Sequence, residues 1–234
     1  MDNKFLVNKY KSEIKNLEEN WVYLTSLSDH NPKVKLRTQI KFNAGVEDII
    51  NFSVIFVESY KRALSTMNDQ IKYFPDIEKG EDVEEYWKEF GLKSTLITNE
   101  YSILFKLFVF LLRKLQDSMY ALLLNLDGNE VGPKTSISNL LNKKNNLAIK
   151  LNDFSPEYLE WFKDLRNIRD DIKYGITSGI QYSESGGLEI CFHTISDVPK
   201  SIDIKRKVPF KYIIESLEMS NSILIFLRSK TQNS

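Results

Sequence analysis

Apolar residues recur every three or four positions between Asn3 and Leu27, at Leu6, Tyr10, Ile14, Leu17, Trp21 and Leu24, with lysines and glutamates between them. That spacing predicts an amphipathic helix, because side chains three or four apart share one helical face. The run "SDHNP" ends it. The period then changes: in "KVKLRTQIKF", residues 33–42, Lys33, Lys35, Arg37 and Lys41 take the odd positions, and Val34, Leu36, Ile40 and Phe42 the even ones. A period of two predicts a strand. Helical spacing returns at Val46, Ile49, Ile50, Phe56, Val57, Tyr60, Ala63, Leu64 and Met67. Further apolar residues at Phe52 and Ile55 widen that stripe, so this helix is expected at the centre of the fold.

The segment "FPDIEKGEDVEEYWKEFG" carries seven carboxylates against two lysines between Asp76 and Glu89, and Pro75, Gly80 and Gly91 punctuate it, which predicts a solvated linker. A long helix is expected from Ser94 to Leu126, with Ile97, Tyr101, Leu104, Phe108, Leu111, Leu115 and Leu122 forming a nearly heptad seam, and "DGNEVGP" closing it. Ser155 and Pro156 suit the N-cap and first turn of another helix, whose core stripe is Trp161, Leu165, Ile168 and Ile172 and whose end is Gly175. "GIQYSESGGLEICFHT" predicts a hairpin turning at Ser185, Gly186 and Gly187. Pro209 then opens a terminal helix through Ile213, Leu217, Leu224 and Leu227. The expected fold is mainly α, a helical bundle in one domain over residues 1–234 with a small β addition around 33–42 and 177–195.

Composition supports one sizeable core, since 42% of the 234 residues are hydrophobic and 12% aromatic. Lysine plus arginine equals aspartate plus glutamate at 32 each, so binding to a polyanion has to come from local patches rather than net charge. A single cysteine, Cys191, excludes an internal disulfide framework, and the N-terminus lacks the apolar stretch of a signal peptide. The oiliest run is interrupted by Lys106, Arg113, Lys114 and Asp117, so its uncharged stretches fall short of the ~20 residues a bilayer crossing needs. A cytoplasmic protein with no membrane partner is expected.

The most charged helical stretch is "LRNIRDDIKYG", residues 165–175. With Ile168 facing the core and about 100° per residue, Arg166, Asp170 and Lys173 point to solvent, Arg169 sits at the edge, and Arg166 and Asp170 form an i,i+4 pair. "WFKDLRNIRDDIKYG" resembles the late helix of the HEPN family, all-helical nucleotide-binding bundles whose signature is an arginine, a polar residue, three further residues and a histidine. Arg169 matches the arginine and Asp170 the polar residue, while Tyr174 stands where the histidine would be. The resemblance implies a homodimer with the Arg169 helices facing each other, and a metal-independent ribonuclease chemistry in which arginine stabilises the phosphorane and histidine moves protons. Histidine ordinarily titrates near ~6.5 and tyrosine near ~10, so Tyr174 is a poor replacement for the proton carrier.

The expectation is therefore a non-catalytic or degenerate HEPN-like module that binds RNA, a nucleotide or a protein partner, in a setting such as bacterial defence or toxin–antitoxin biology. Its alternatives are a divergent metal-independent endoribonuclease, with Tyr174 or His30 completing the site, and a structural dimerisation protein. No cofactor or metal is expected. His193 and Cys191 share a strand face but lack the further ligands of a zinc site, and Asp170 and Asp171 diverge by about 100° on a helix. Neither "SESGG" nor "DGNEVGP" has the spacing of a phosphate-binding loop. Three basic tracts remain: residues 33–41, 134–150 and 200–211. If two of them share a face with Arg166, Arg169 and Lys173, a phosphate-tracking patch results, with Lys205, Arg206 and Lys207 as its third-tract members and Tyr174 available for stacking.

Overall fold

Leu6, Tyr10 and Leu17, the stripe of the first amphipathic segment, lie buried on helix α1 (Asn3–Val22), followed by the short α2 (Leu27–His30). The structure, a computed structural model, describes residues 3–77, 83–129, 131, 157–174, 177–183, 187–195 and 202–232. Two long helices, α3 (Leu36–Ile77) and α4 (Val83–Leu126), form its spine, and α5 (Tyr158–Lys173) packs on α4. Strands β1 (Thr177–Tyr182), β2 (Leu188–Ile195) and β3 (Ile202–Pro209) form an antiparallel sheet in the order β1-β2-β3. The terminal α6 (Phe210–Gln232) runs against α1 and α4. The architecture is mainly helical with a small β addition, as the periodicity predicts.

Aromatic side chains hold the spine. Phe56 of α3 stacks on Phe108 of α4 with ring centroids 4.8 Å apart, and on Phe210 of α6 at 6.0 Å. Tyr10 of α1 closes the cluster, its hydroxyl donating to the Ser53 carbonyl at 3.2 Å. Full burial of each such ring contributes about 1.5–3 kcal/mol. Gly45 permits close approach of the long helices, since a Cβ there would lie 3.1 Å from Ser118 Oγ. A second, polar seam ties α4, α5 and α6: the Tyr158 hydroxyl donates to Gln116 Oε1, Gln116 Nε2 donates to Ser220 Oγ at 2.9 Å, and Trp161 Nε1 donates to Ser216 Oγ at 3.0 Å.

Four expectations are corrected. Residues 36–42 belong to α3, not to a strand, because Thr38, Gln39, Phe42, Val46 and Ile49 form the buried helical face while Leu36 and Ile40 are exposed. The acidic linker is mostly helix: α3 runs through Pro75 to Ile77 and α4 starts at Val83, with Gly91 inside it, where one interior glycine costs only about 1 kcal/mol. "IDIKRKVP" is strand β3, paired to β2, rather than a basic tract on its own. The stretch Lys93–Leu126 of α4 is, by length and composition, apolar enough to cross a membrane despite its charges, and one side of it is packed in the core through Tyr101, Phe105, Phe108 and Leu112. Ser155, Pro156, Gly175, Ser185, Gly186 and the tract 134–150 lie outside the described residues; Tyr174 is the C-cap of α5.

The predicted hairpin forms, and Gly187 is where its turn is set. Its φ of +84° is left-handed, Ser183 N–H donates to its carbonyl at 2.9 Å, and a Cβ would lie 2.6 Å from the Tyr60 hydroxyl. Tyr60 cannot easily yield, because its ring stacks on Phe210 at 3.9 Å. Gly187→Ala is expected to lower stability by about 1–3 kcal/mol in chemical denaturation.

Candidate functional site

The start of α3 is oriented by polar burial. Gln39 Nε2 donates to the Leu24 carbonyl at 2.7 Å and to Asn43 Oδ1 at 2.9 Å, and Asn43 Nδ2 donates to the Thr25 carbonyl at 3.0 Å. Trp21 Nε1 donates to the same Asn43 oxygen at 3.1 Å, and Asn125 of α4 accepts from the Lys35 backbone N–H at 3.2 Å. With positions 38, 39 and 42 fixed inward, Arg37 and Lys41 are left exposed on the helix and Lys35 exposed just before it.

Between the first turns of α3, the C-terminal half of α4 and the last turns of α5 lies a groove of about 850 Å³. Among the described residues, seven cationic side chains line it, namely Lys35, Arg37, Lys41, Arg113, Lys114, Arg169 and Lys173, against one carboxylate, Asp117. Ile40, Ala44, Phe110 and Ala121 supply apolar lining. The chain as a whole has no net charge, so the groove is a local concentration of positive potential of the kind that draws anions.

Arg113 is the buried member, 5% exposed. Its Nη1 donates to Asp117 Oδ1 at 2.8 Å, and its guanidinium carbon lies 4.9 Å from the centre of the Phe162 ring. Burial draws its affinity for the proton below the ordinary value; Asp117 pulls the other way, and the nearby Arg169 charge adds to the depression. Two guanidinium groups are thus held near each other in a partly dry wall, a repulsion that an incoming anion relieves. Arg169 donates from Nε to Asp170 Oδ1 at 3.1 Å, and Asp170 is also approached by Arg166 Nε at 3.8 Å. Lys114 pairs with Asp48 at the margin.

Of the site residues the sequence suggests, Arg169 and Lys173 line the groove and are joined by the first basic tract. Arg166 and Asp170 form the expected i,i+4 pair beside it. Lys205, Arg206 and Lys207 do not join them. Lys205 and Arg206 pair with Asp171, and Arg206 also with Asp164, on the flank of α5 turned roughly 140–180° from Arg169 and Lys173. Lys207 Nζ lies 3.5 Å from Glu189 on β2. These pairs clamp β3 to α5, and the buried Asp171 that anchors them carried no signal in the sequence beyond its neighbourhood.

Tyr174 is 75% exposed at the end of α5, 5.7 Å from the Lys173 ammonium across its ring, and is not among the groove's lining residues. Nor is any histidine: His30 lies on α2 and His193 on β2. Among the described residues no three of His, Cys, Asp and Glu gather as metal ligands. Arg113, Lys114 and Asp117 are charged lining residues that sequence reasoning missed, having been read as interruptions of an oily helix. Their one signal was charge set into an apolar seam.

Asp117→Asn is expected to lower stability by about 1–3 kcal/mol in urea denaturation, because it leaves the buried Arg113 facing a neutral acceptor. Asp170→Asn, in a more exposed pair, is expected to cost under about 1 kcal/mol in the same measurement. Comparison of the chain with family models, with curated proteins and with solved structures finds no match in any of the three.

Proposed function

We propose that this chain binds single-stranded RNA in the groove between α3, α4 and α5, and that it does so without cleaving it. The observation that carries the reading is the gathering, among the described residues, of seven cations against one carboxylate in a chain with no net charge. A groove of this kind follows a phosphate backbone, and the apolar lining with Phe110, 40% exposed, offers bases and riboses a surface away from water. The resemblance of the Arg169–Tyr174 stretch to the HEPN motif supports RNA as the anion.

Binding without turnover follows from what the lining lacks. Metal-independent cleavage needs a group that moves protons near neutrality, and no imidazole lines the groove. Tyr174, at the motif's histidine position, stands on the exposed helix end.

Fluorescence anisotropy with a short single-stranded RNA in EDTA tests this. Affinity is expected to fall with salt by about 0.7 in log–log slope per phosphate engaged. Lys41→Ala and Lys173→Ala should each weaken binding and flatten the slope by about that amount. Lys205→Ala and Lys207→Ala should leave it unchanged. Insensitivity to the groove substitutions contradicts the binding site, and RNA cleavage abolished by Arg169→Ala contradicts the absence of turnover.

A further inference from the structure

We propose that two copies of this chain associate through the outward face of α4, packed antiparallel about a two-fold axis passing between Ile103 and Leu107. The inference stands on observations other than those of the RNA reading, and the two surfaces share Phe110 and Lys114.

Leu96, Ile103, Leu107 and Phe110 are exposed to 62%, 63%, 44% and 40% on the side of α4 turned away from the core. Lys114 continues the row. Their spacing of seven, four, three and four residues is that of a coiled-coil seam, in which alternate steps of three and four keep one stripe facing a partner helix. Glu100 occupies the remaining position of the row. Ile55 of α3, 56% exposed, stands beside Leu107: it is seven residues from both Asp48 and Arg62, and these two pair with Lys114 and Glu100, each seven residues from Leu107. An apolar patch framed by an ion pair at each end is how an interaction surface looks, since monomeric proteins rarely leave such a stripe to water.

The charges on the row choose the occupant and its direction. Glu100 lies toward one end and Lys114 at the other. A parallel second copy would set Glu100 against Glu100 and Lys114 against Lys114. An antiparallel copy sets Ile103 against the partner's Leu107 and Glu100 against the partner's Phe110. It also brings Glu100 within one helical turn of the partner's Lys114. Two-fold symmetry repeats each favourable contact, which is what a self-complementary surface requires. The axis so placed differs from an arrangement with the Arg169 helices face to face. Phe110 and Lys114 belong both to this seam and to the groove lining, so the partner's Leu96 turn would border the groove at that end.

Light scattering on the purified chain at tens of micromolar tests the association. A mass of twice 27.3 kDa is expected, falling to the single-chain value for Ile103→Glu combined with Leu107→Glu, both outside the groove lining. Helicity by circular dichroism should be unchanged in that variant. A wild-type mass of one chain overturns the proposal, and sedimentation of such a monomer with phosphatidylcholine–phosphatidylserine vesicles would assign the stripe to lipid. A dimer that survives the double substitution overturns its location. Direction is read with a short bis-maleimide, with Cys191 too buried to compete. Mixed Leu96→Cys and Lys114→Cys chains should cross-link while neither variant does by itself, because like positions lie about 27 Å apart along the antiparallel pair, and cross-linking of each variant by itself contradicts that packing.

Discussion

The stacking of Phe56 on Phe108 fixes the distance between the two long helices, and the groove exists because that distance is fixed. With the α3–α4 hairpin set by aromatic rings at its middle and by Gly45 nearer the start of α3, the first turns of α3 stand beside the later turns of α4. α5 then reaches the same place through a different set of contacts, the hydrogen bonds of Tyr158 to Gln116 and of Trp161 to Ser216. Three helices converge on the groove, each positioned by packing or hydrogen bonds elsewhere in the molecule. That division lets its cations be mutually repulsive without unfolding the site.

The distribution of acids matters as much as that of bases. Asp164, Asp171 and Glu189 hold the cations of β3, whereas among the described residues the groove has one lining carboxylate and borrows Asp48 and Asp170 at its margins. The described residues of a neutral chain therefore include a strongly positive surface and an internally compensated face, though both are built from lysine and arginine. An exposed pair contributes little to stability, so the β3 clamp owes its strength to the burial of Asp171 rather than to the number of charges.

The helices were legible where apolar residues alone form the buried stripe, as at Leu6, Tyr10 and Leu17 or at Ile213, Leu217 and Leu224. Reading failed where polar groups are buried with partners supplied from far along the chain. Thr38 and Gln39 occupy core positions because Gln39 finds the Leu24 carbonyl and Asn43, and that swap of roles made "KVKLRTQIKF" look like a strand. Strand β3 was hidden by its charges, which find their acids on α5 and β2. In the candidate site, Arg169 and Lys173 were visible through the motif and the helical wheel, but Arg113 and the partition between the first and third basic tracts depend on tertiary placement that no local pattern encodes.

The most direct check of the central claim is lysine footprinting by acetylation and mass spectrometry, with and without a saturating single-stranded RNA. Protection confined to Lys35, Lys41 and Lys173, with Lys205 and Lys207 as reactive as before, is the result the proposed RNA binding predicts. Protection centred on β3, or none at all, would contradict the groove as the site of binding.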